Sequence, residues 1–274
     1  MPLLVRLHGG VSPTPAGEAL ARHVGEVLKA LDRIPRELSK FAGEAFAPIR
    51  IAANFTATVS YLVEDLKTYL AANPAFKVRV DERHSLRIID AVVDGQVDFG
   101  IVGHYRPVDR LRVLPYRQVP LWLAVPPSHP LAERESATFF DVLEFDLITL
   151  SDGTAIHRIT LDAAAEARRA PKFSMQVTSY EAMRTMVQAN VGGAVIPEPN
   201  LLPYKDVLGL CCIPLVGRWA SMQLNLVLPE DEPAPAVRHL VSFLTAPLPP
   251  SPAAMPDVPK DQLPHSRVAR TLGA

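Results

Sequence analysis

Between residues 47 and 246 the sequence alternates short apolar runs with longer amphipathic ones, and few folds accommodate that rhythm. "PIRIAAN" reads as a strand, and "TATVSYLVEDLKTYLAANP" as a helix stopped at Asn73-Pro74. "FKVRVDE" is the next strand, "SLRIIDAVVDG" a helix ending on Gly95, and "VDFGIVG" a strand apolar enough for the middle of a parallel sheet. "LRVLPYR" and "VPLWLAVP" are two extended segments. The pattern then repeats through "DLITL", a helix from about Ala155 to Arg168, "FSMQVT", the helix "SYEAMRTMVQAN" and "GAVIP". "SMQLNLVLP" and a helix around "AVRHLVSFL" close the region. Strands that alternate with helices specify parallel sheets covered by helices. Two such runs joined by extended segments predict an α/β, bilobal domain over 47–246. Lobe I takes about 47–120 and 221–246, and lobe II about 121–220. A chain of 274 residues is long enough to give both lobes a core.

The flanks differ from this region. "VRLHGGVSPTPAGEALARH" reads as a short hairpin that runs straight into a helix. Thr14 is the predicted N-cap, Pro15 occupies the first helical position, and Glu18 sits near the positive end of the helix dipole. Leu20, Val24, Val27, Leu31, Ile34, Leu38 and Phe41 follow at alternating steps of four and three, the spacing of a coiled-coil seam. Residues 14–46 are expected to form a dimerisation helix, the alternative being an amphipathic helix lying on its own domain, and Pro35, whose ring removes the bond to the Leu31 carbonyl, should kink or end it. The proline density after "APLPPSPAAMPDVPKD" predicts a disordered tail over 247–274.

Several function classes fall away. A net charge of −1 gives no broad attraction to nucleic acid or to an anionic membrane. Cys211 and Cys212 are adjacent, where a disulfide has poor geometry, so no oxidising compartment is implied. Arg6, His8, Gly9 and Gly10 interrupt any secretory signal, and no run approaches the ~20 apolar residues of a membrane span. A cytoplasmic location is expected, with no membrane partner. Phosphate loops, dinucleotide fingerprints, zinc-protease motifs and nucleophile elbows are missing. The histidines show no metal spacing, and Ser151, Asp152 and His157 read as a helix start before they read as a triad. No enzyme, cofactor or metal is expected.

What remains is a binding cleft. Ligands in open α/β sheets sit at the carboxyl ends of strands, where free N–H groups and helix dipoles favour an anion. In lobe I this rule selects Asn54, Thr56, Thr58, Ser85 and His104. In lobe II it selects Thr149, Ser151, Thr154, His157, Thr178 and Ser179. Each serine or threonine would also cap a helix with no ligand present. Their joint placement on one cleft favours a small anionic effector.

"PLLVRLHGGVSPTPAGEALARHV" resembles the junction in LysR-type transcriptional regulators where a winged helix-turn-helix meets a long linker helix. The family pattern is roughly P-L-F-x-R, a wing hairpin, then L-T-P-A-G-E. Pro2, Leu3, Arg6, Thr14, Pro15, Ala16, Gly17 and Glu18 match it, while Leu4 and Pro13 depart from it. "NPAFKVRVDERHSLRIIDAVVDGQVDFGIVG", "PSHPLA" and "MVQANVGGAVIPE" are similar to the family's regulatory domain, with Asn190 in place of a glycine. The resemblance implies a type 2 periplasmic-binding-protein-like regulatory domain preceded by the linker helix, with an effector bound between the lobes. It also implies a homodimer or homotetramer, and DNA as a partner through the helix-turn-helix. Residues 1–13 would be the remnant of the wing, with the helix-turn-helix missing from this chain. Arg6 matches a wing position suited to phosphate, a contact that positions without specifying. The rival readings are a stand-alone solute-binding module, and a truncated partner that forms mixed oligomers with full-length regulators.

Overall fold

A two-stranded hairpin and one long helix precede everything else in the computed structural model, which describes residues 1–7, 10–39, 47–103 and 111–246. Strands β1 (Leu4–Leu7) and β2 (Gly10–Pro13) pair antiparallel, and α1 (Pro15–Ser39) follows directly. Thr14 fastens the two parts together. Its hydroxyl accepts from Gly17 N–H at 3.1 Å and donates to the Pro2 carbonyl at 2.9 Å, while its N–H reaches the Leu3 carbonyl at 3.0 Å. A Cβ on Gly17 would stand 2.0 Å from that Leu3 oxygen, so only glycine lets the helix lie this close. The helix does not end at Pro35. It runs on to Ser39, because proline deletes one bond of the ladder and the turns on either side keep theirs. Leu20, Val24, Val27, Leu31 and Ile34 are 45–59% exposed, so their seam is open along one face of α1. The Leu38 side chain, Phe41 and the 247–274 tail lie outside the described residues.

The remaining elements follow the predicted alternation. Lobe I begins with β3 (Ile49–Ala53), a helical segment made of α2 (Phe55–Ala57), a π turn (Thr58–Leu62) and α3 (Val63–Ala72), then β4 (Val78–Glu82), α4 (Ser85–Val93) and β5 (Phe99–Val102). Strand β6 (Leu111–Val125) leads into lobe II, with α5 (Phe139–Leu143), β7 (Asp146–Leu150), α6 (Ala155–Glu166), β8 (Lys172–Val177), α7 (Tyr180–Gln188) and β9 (Gly193–Pro197). Next come α8 (Glu198–Leu201), α9 (Lys205–Leu208) and β10 (Cys211–Pro214). Strand β11 (Ser221–Pro229) and α10 (Pro235–Leu244) return to lobe I.

Nine strands form one sheet, eight of them in the path β4-β3-β5-β11-β6-β9-β7-β8 and the ninth, β10, on β6. Within each lobe the outer strands are parallel, β3 with β4 and β5, and β7 with β8 and β9. The two extended segments expected before residue 126 are one strand of 15 residues, and that strand runs antiparallel to its neighbours. Residues 111–120 of β6 pair with β11, whereas residues 121–125 pair with β9 or β10. Pro115 does not break the strand because it lies opposite Asn225, at the register shift between Leu224 and Asn225.

Each lobe buries an arginine in a different way. In lobe I, Arg117 Nη2 meets Asp65 Oδ2 at 2.8 Å, and Tyr116 OH donates to the same oxygen at 2.5 Å. In lobe II, Arg184 donates to the Asn200 carbonyl and stacks 3.8 Å from the Tyr204 ring centroid. No carboxylate lies within ion-pair distance of Arg184 among the described residues, and burial lowers its pKa below the ordinary value.

Candidate functional site

The carboxyl ends of β3, β4, β7 and β8 face one another, and α2, α4, α6 and α7 all start there. Between them lies a cavity of about 300 Å³. Lobe I lines it with Asn54, Phe55, Thr56, Glu82, Arg83, His84 and Ser85, and lobe II with Leu150, Thr154, Ala155, Thr178, Ser179 and Tyr180.

Three of the four helix starts are closed by their own side chains. Asn54 Oδ1 accepts from Ala57 N–H at 2.8 Å, Ser179 Oγ from Ala182 N–H at 3.2 Å, and Thr154 Oγ1 from His157 N–H at 3.4 Å. Helix α4 is different. Its N-cap, His84, makes no side-chain cap bond, and Ser85 is 4% exposed with its Oγ unpartnered. Beside it Arg83 divides its guanidinium between Gln96 Oε1 at 3.0 Å and Asp81 Oδ2 at 3.4 Å. Unmet N–H groups, the positive end of a helix dipole and a neighbouring guanidinium are features that favour an anion.

The lobes touch across the cavity. Thr56 Oγ1 and Tyr180 OH are 3.2 Å apart, and the Phe55 and Tyr180 rings lie 5.7 Å apart at a 45° tilt. Burial raises the Tyr180 phenol far above its usual value, with the Thr56 hydrogen bond opposing, so the group is neutral at physiological pH. Gly103 marks a second approach. A Cβ there would come within 2.7 Å of Met222 Sδ, 2.8 Å of Asn54 Nδ2 and 3.0 Å of Ala155 Cβ.

Among the residues selected from sequence, Asn54, Thr56, Ser85, Thr154, Thr178 and Ser179 line the cavity. Thr58, Thr149, Ser151 and His157 do not. Thr58 Oγ1 donates back to the Asn54 carbonyl at 3.0 Å, as a helical threonine commonly does. His157 Nδ1 lies 3.1 Å from Thr149 Oγ1, and its Nε2 lies 3.1 Å from Asp152 Oδ1, so these side chains hold one another. Ser151 ties strand to strand, its N–H on the Val177 carbonyl at 2.8 Å. His104 lies outside the described residues. Sequence reasoning missed Tyr180, Phe55, His84, Arg83 and Glu82. The signal was present as "DERHS" at a strand end and as the residue next to the Ser179 cap.

Among the described residues no group of three or more His, Cys, Asp and Glu side chains could hold a metal ion, and no helix is long and apolar enough to cross a membrane. Residues 42–248 match the family described as LysR substrate binding domain. This chain belongs to that family. The "DGQVDFGIVG" stretch that carried part of the resemblance lies within the matched residues.

A relative from Trichormus variabilis, named "Probable RuBisCO transcriptional regulator", is 23% identical over 210 residues, which are 74% of this chain and 62% of the relative. The chain thus spans less than two thirds of that relative's length. A "Hydrogen peroxide-inducible genes activator" from Haemophilus influenzae is 26% identical over 234 residues, covering 84% of this chain and 77% of the relative. Among solved structures, the effector binding domain of QuiR in complex with shikimate aligns with a TM-score of 0.66 at 17% identity, over 73% of this chain and 95% of that one. Full-length CbnR with its target DNA aligns with a TM-score of 0.67 at 16% identity, over 88% and 83%. These likenesses establish the bilobal fold of LysR effector-binding domains.

Proposed function

We propose that this chain is the sensing part of a LysR-type transcriptional regulator that binds a small anion between its lobes. The charged end of the ligand sits on the N-terminus of α4. The observation that carries this reading is the state of that helix start, which has no side-chain cap and a buried Ser85 Oγ without a partner inside a cavity of about 300 Å³. A carboxylate there gains roughly 0.3–1 kcal/mol from the dipole, or up to about 2 when partly buried. Each charge-assisted hydrogen bond adds about 1.5–3 kcal/mol. Three such bonds near the upper end of that range, with the dipole, reach the roughly 8 kcal/mol of micromolar affinity.

In this reading residues 47–246 are the effector-binding domain and 14–46 the linker, whose exposed seam joins it to a second copy. Asn54, Thr56, Thr154, Thr178 and Ser179 complete the site, joined by Tyr180. Arg6, exposed on β1, holds a DNA phosphate. The regulator works in the cytoplasm on DNA and catalyses nothing. Support comes from relatives named as transcriptional regulators, from relatives solved with shikimate or 2-PG, and from a full-length relative solved on its DNA. A stand-alone solute-binding module would give no reason for the apolar face of α1.

The test is a thermal-shift screen of small carboxylates, sulfonates and phosphate esters, followed by calorimetry on wild type and Ser85→Ala. Anions that stabilise wild type and bind Ser85→Ala at least tenfold more weakly support the site. Binding unchanged by that substitution would move the ligand elsewhere.

A further inference from the structure

We propose that Tyr180 is a latch across the cleft, its hydroxyl holding lobe II against Thr56 of lobe I. The proposal rests on the cleft being the effector site and adds how that site is gated. Tyr180 is the first residue of α7, yet the helix start is already capped by Ser179, so the tyrosine is free to face the opposite lobe. Its OH lies 3.2 Å from Thr56 Oγ1, and the two residues are 5% and 4% exposed. The Phe55 ring, 5.7 Å away, shields the pair from one side.

Two buried hydroxyls that satisfy each other make closure a two-state matter. If the lobes part slightly, both groups lose a partner before water can reach them, and each then bears a desolvation penalty. If the lobes part widely, both are hydrated and the penalty disappears. Intermediate openings are the least favourable, so the cleft is either latched or open. Because burial keeps the phenol neutral, the latch does not respond to pH near neutrality. Arg184, one turn further along α7, is tied to the Asn200 carbonyl, and the neighbouring Glu198 accepts from Trp122 Nε1 on β6 at 3.1 Å. A release at Tyr180 is therefore passed along α7 to the strand shared by both lobes.

The experiment measures the interlobe distance in the full chain without ligand. Nitroxides are placed at Lys67→Cys in lobe I and Lys172→Cys in lobe II, in a Cys211→Ser, Cys212→Ser background. The sample is diluted with unlabelled chain, so that only pairs within one chain contribute to the pulsed dipolar signal. The parent should give one narrow distance. Tyr180→Phe, which keeps the ring, and Thr56→Val, which keeps the shape, should each add a second and longer population, and the double variant should add nothing further. A parent already spread over two distances overturns the latch, as does a single narrow distance in both variants. Should Tyr180→Phe fold poorly, Thr56→Val decides alone. A failed latch beside a positive ligand screen leaves the function standing, whereas an intact latch with no anion bound refutes only the function.

Discussion

Lobe I and lobe II present the same kind of helix start to the cleft but leave them in different states. Lobe II closes both of its own, α6 with Thr154 and α7 with Ser179. Lobe I closes α2 with Asn54 and leaves α4 open, with Ser85 unpartnered. The buried arginines differ in parallel, since both rest on backbone carbonyl and tyrosine ring but only Arg117 also has a carboxylate. A self-capped helix start has spent its directional N–H groups, while an uncapped one still has them to offer. Under the proposed function, this difference gives charge recognition to lobe I and closure, through Tyr180, to lobe II.

The largest effect expected from breaking this comparison lies in the arginines. Asp65→Ala takes the acceptor from Tyr116 OH and the carboxylate from Arg117, which keeps the Tyr116 and Leu244 carbonyls, and should lower unfolding stability by about 3 kcal/mol. That is the low end for a buried pair, because Asp65 keeps 20% of its side chain in contact with solvent. Arg184→Met removes one bond to a carbonyl and should cost about 1 kcal/mol. Urea titration of both variants checks the ratio, and equal losses would show the two lobes to be anchored alike.

Next is the approach at Gly103. A Cβ there meets three atoms at 3.0 Å or less, one of them on Ala155 of the other lobe. Gly103→Val should cost about 1–3 kcal/mol as overpacking and should hold the lobes apart. Its interlobe distance should match or exceed that of Tyr180→Phe.

The helix starts sharpen the comparison most directly. Thr154→Ala and Ser179→Ala each remove a cap and should lower stability by roughly 1 kcal/mol. Ser85→Ala removes a hydroxyl with no partner, so stability should stay level or rise slightly while anion binding weakens. Equal losses in all three would mean that Ser85 is an ordinary cap.

The smallest effect is again a lobe II cap. The Thr138 side chain and backbone hold the Asp141 carboxyl below its usual pKa. A depressed folded pKa stabilises the fold above the unfolded value, near 4, and the contribution is lost as pH falls through the folded value. Asp141→Asn should therefore lose under about 1 kcal/mol at pH 7, and its difference from wild type should shrink as the pH falls below the ordinary carboxylate range. A difference that stays constant as the pH falls would remove the carboxylate from the account.

The alternation of elements was legible because strand and helix periods differ and Gly95 and Asn73-Pro74 punctuate them. The bilobal plan followed from two βα runs. One strand was split in two at Gln118, a polar residue before Pro120, and only the unbroken pairing of this stretch with β11 joins the halves. Within the cleft, strand ends and helix starts could be placed, but which way a side chain turned could not. Thr149 and His157 look as suitable as Thr56 and Ser85 until the bond between them is seen. Tyr180 was invisible for the opposite reason, because a bulky residue after a cap reads as core packing. The distinction between a capped and an uncapped start also requires coordinates, since His84-Ser85 and Thr178-Ser179 look alike in sequence although Ser179 is an N-cap and Ser85 the first residue of its helix.

The handover in β6 has a mechanical consequence. The chain crosses between the lobes on two neighbouring strands, at Pro120–Leu121 and at Ala220–Ser221. These are laced by Leu121 N–H on the Ala220 carbonyl at 2.9 Å and by Gln118 Nε2 on Ser221 Oγ at 3.0 Å. Two laced strands twist together far more readily than they stretch or shear. One torsion angle therefore describes the relative position of the lobes, much as one angle describes a pair of scissors. Whatever occupies the jaws sets that angle, and the far ends of both lobes, well beyond the reach of any ligand, must sweep through an arc fixed by the same number.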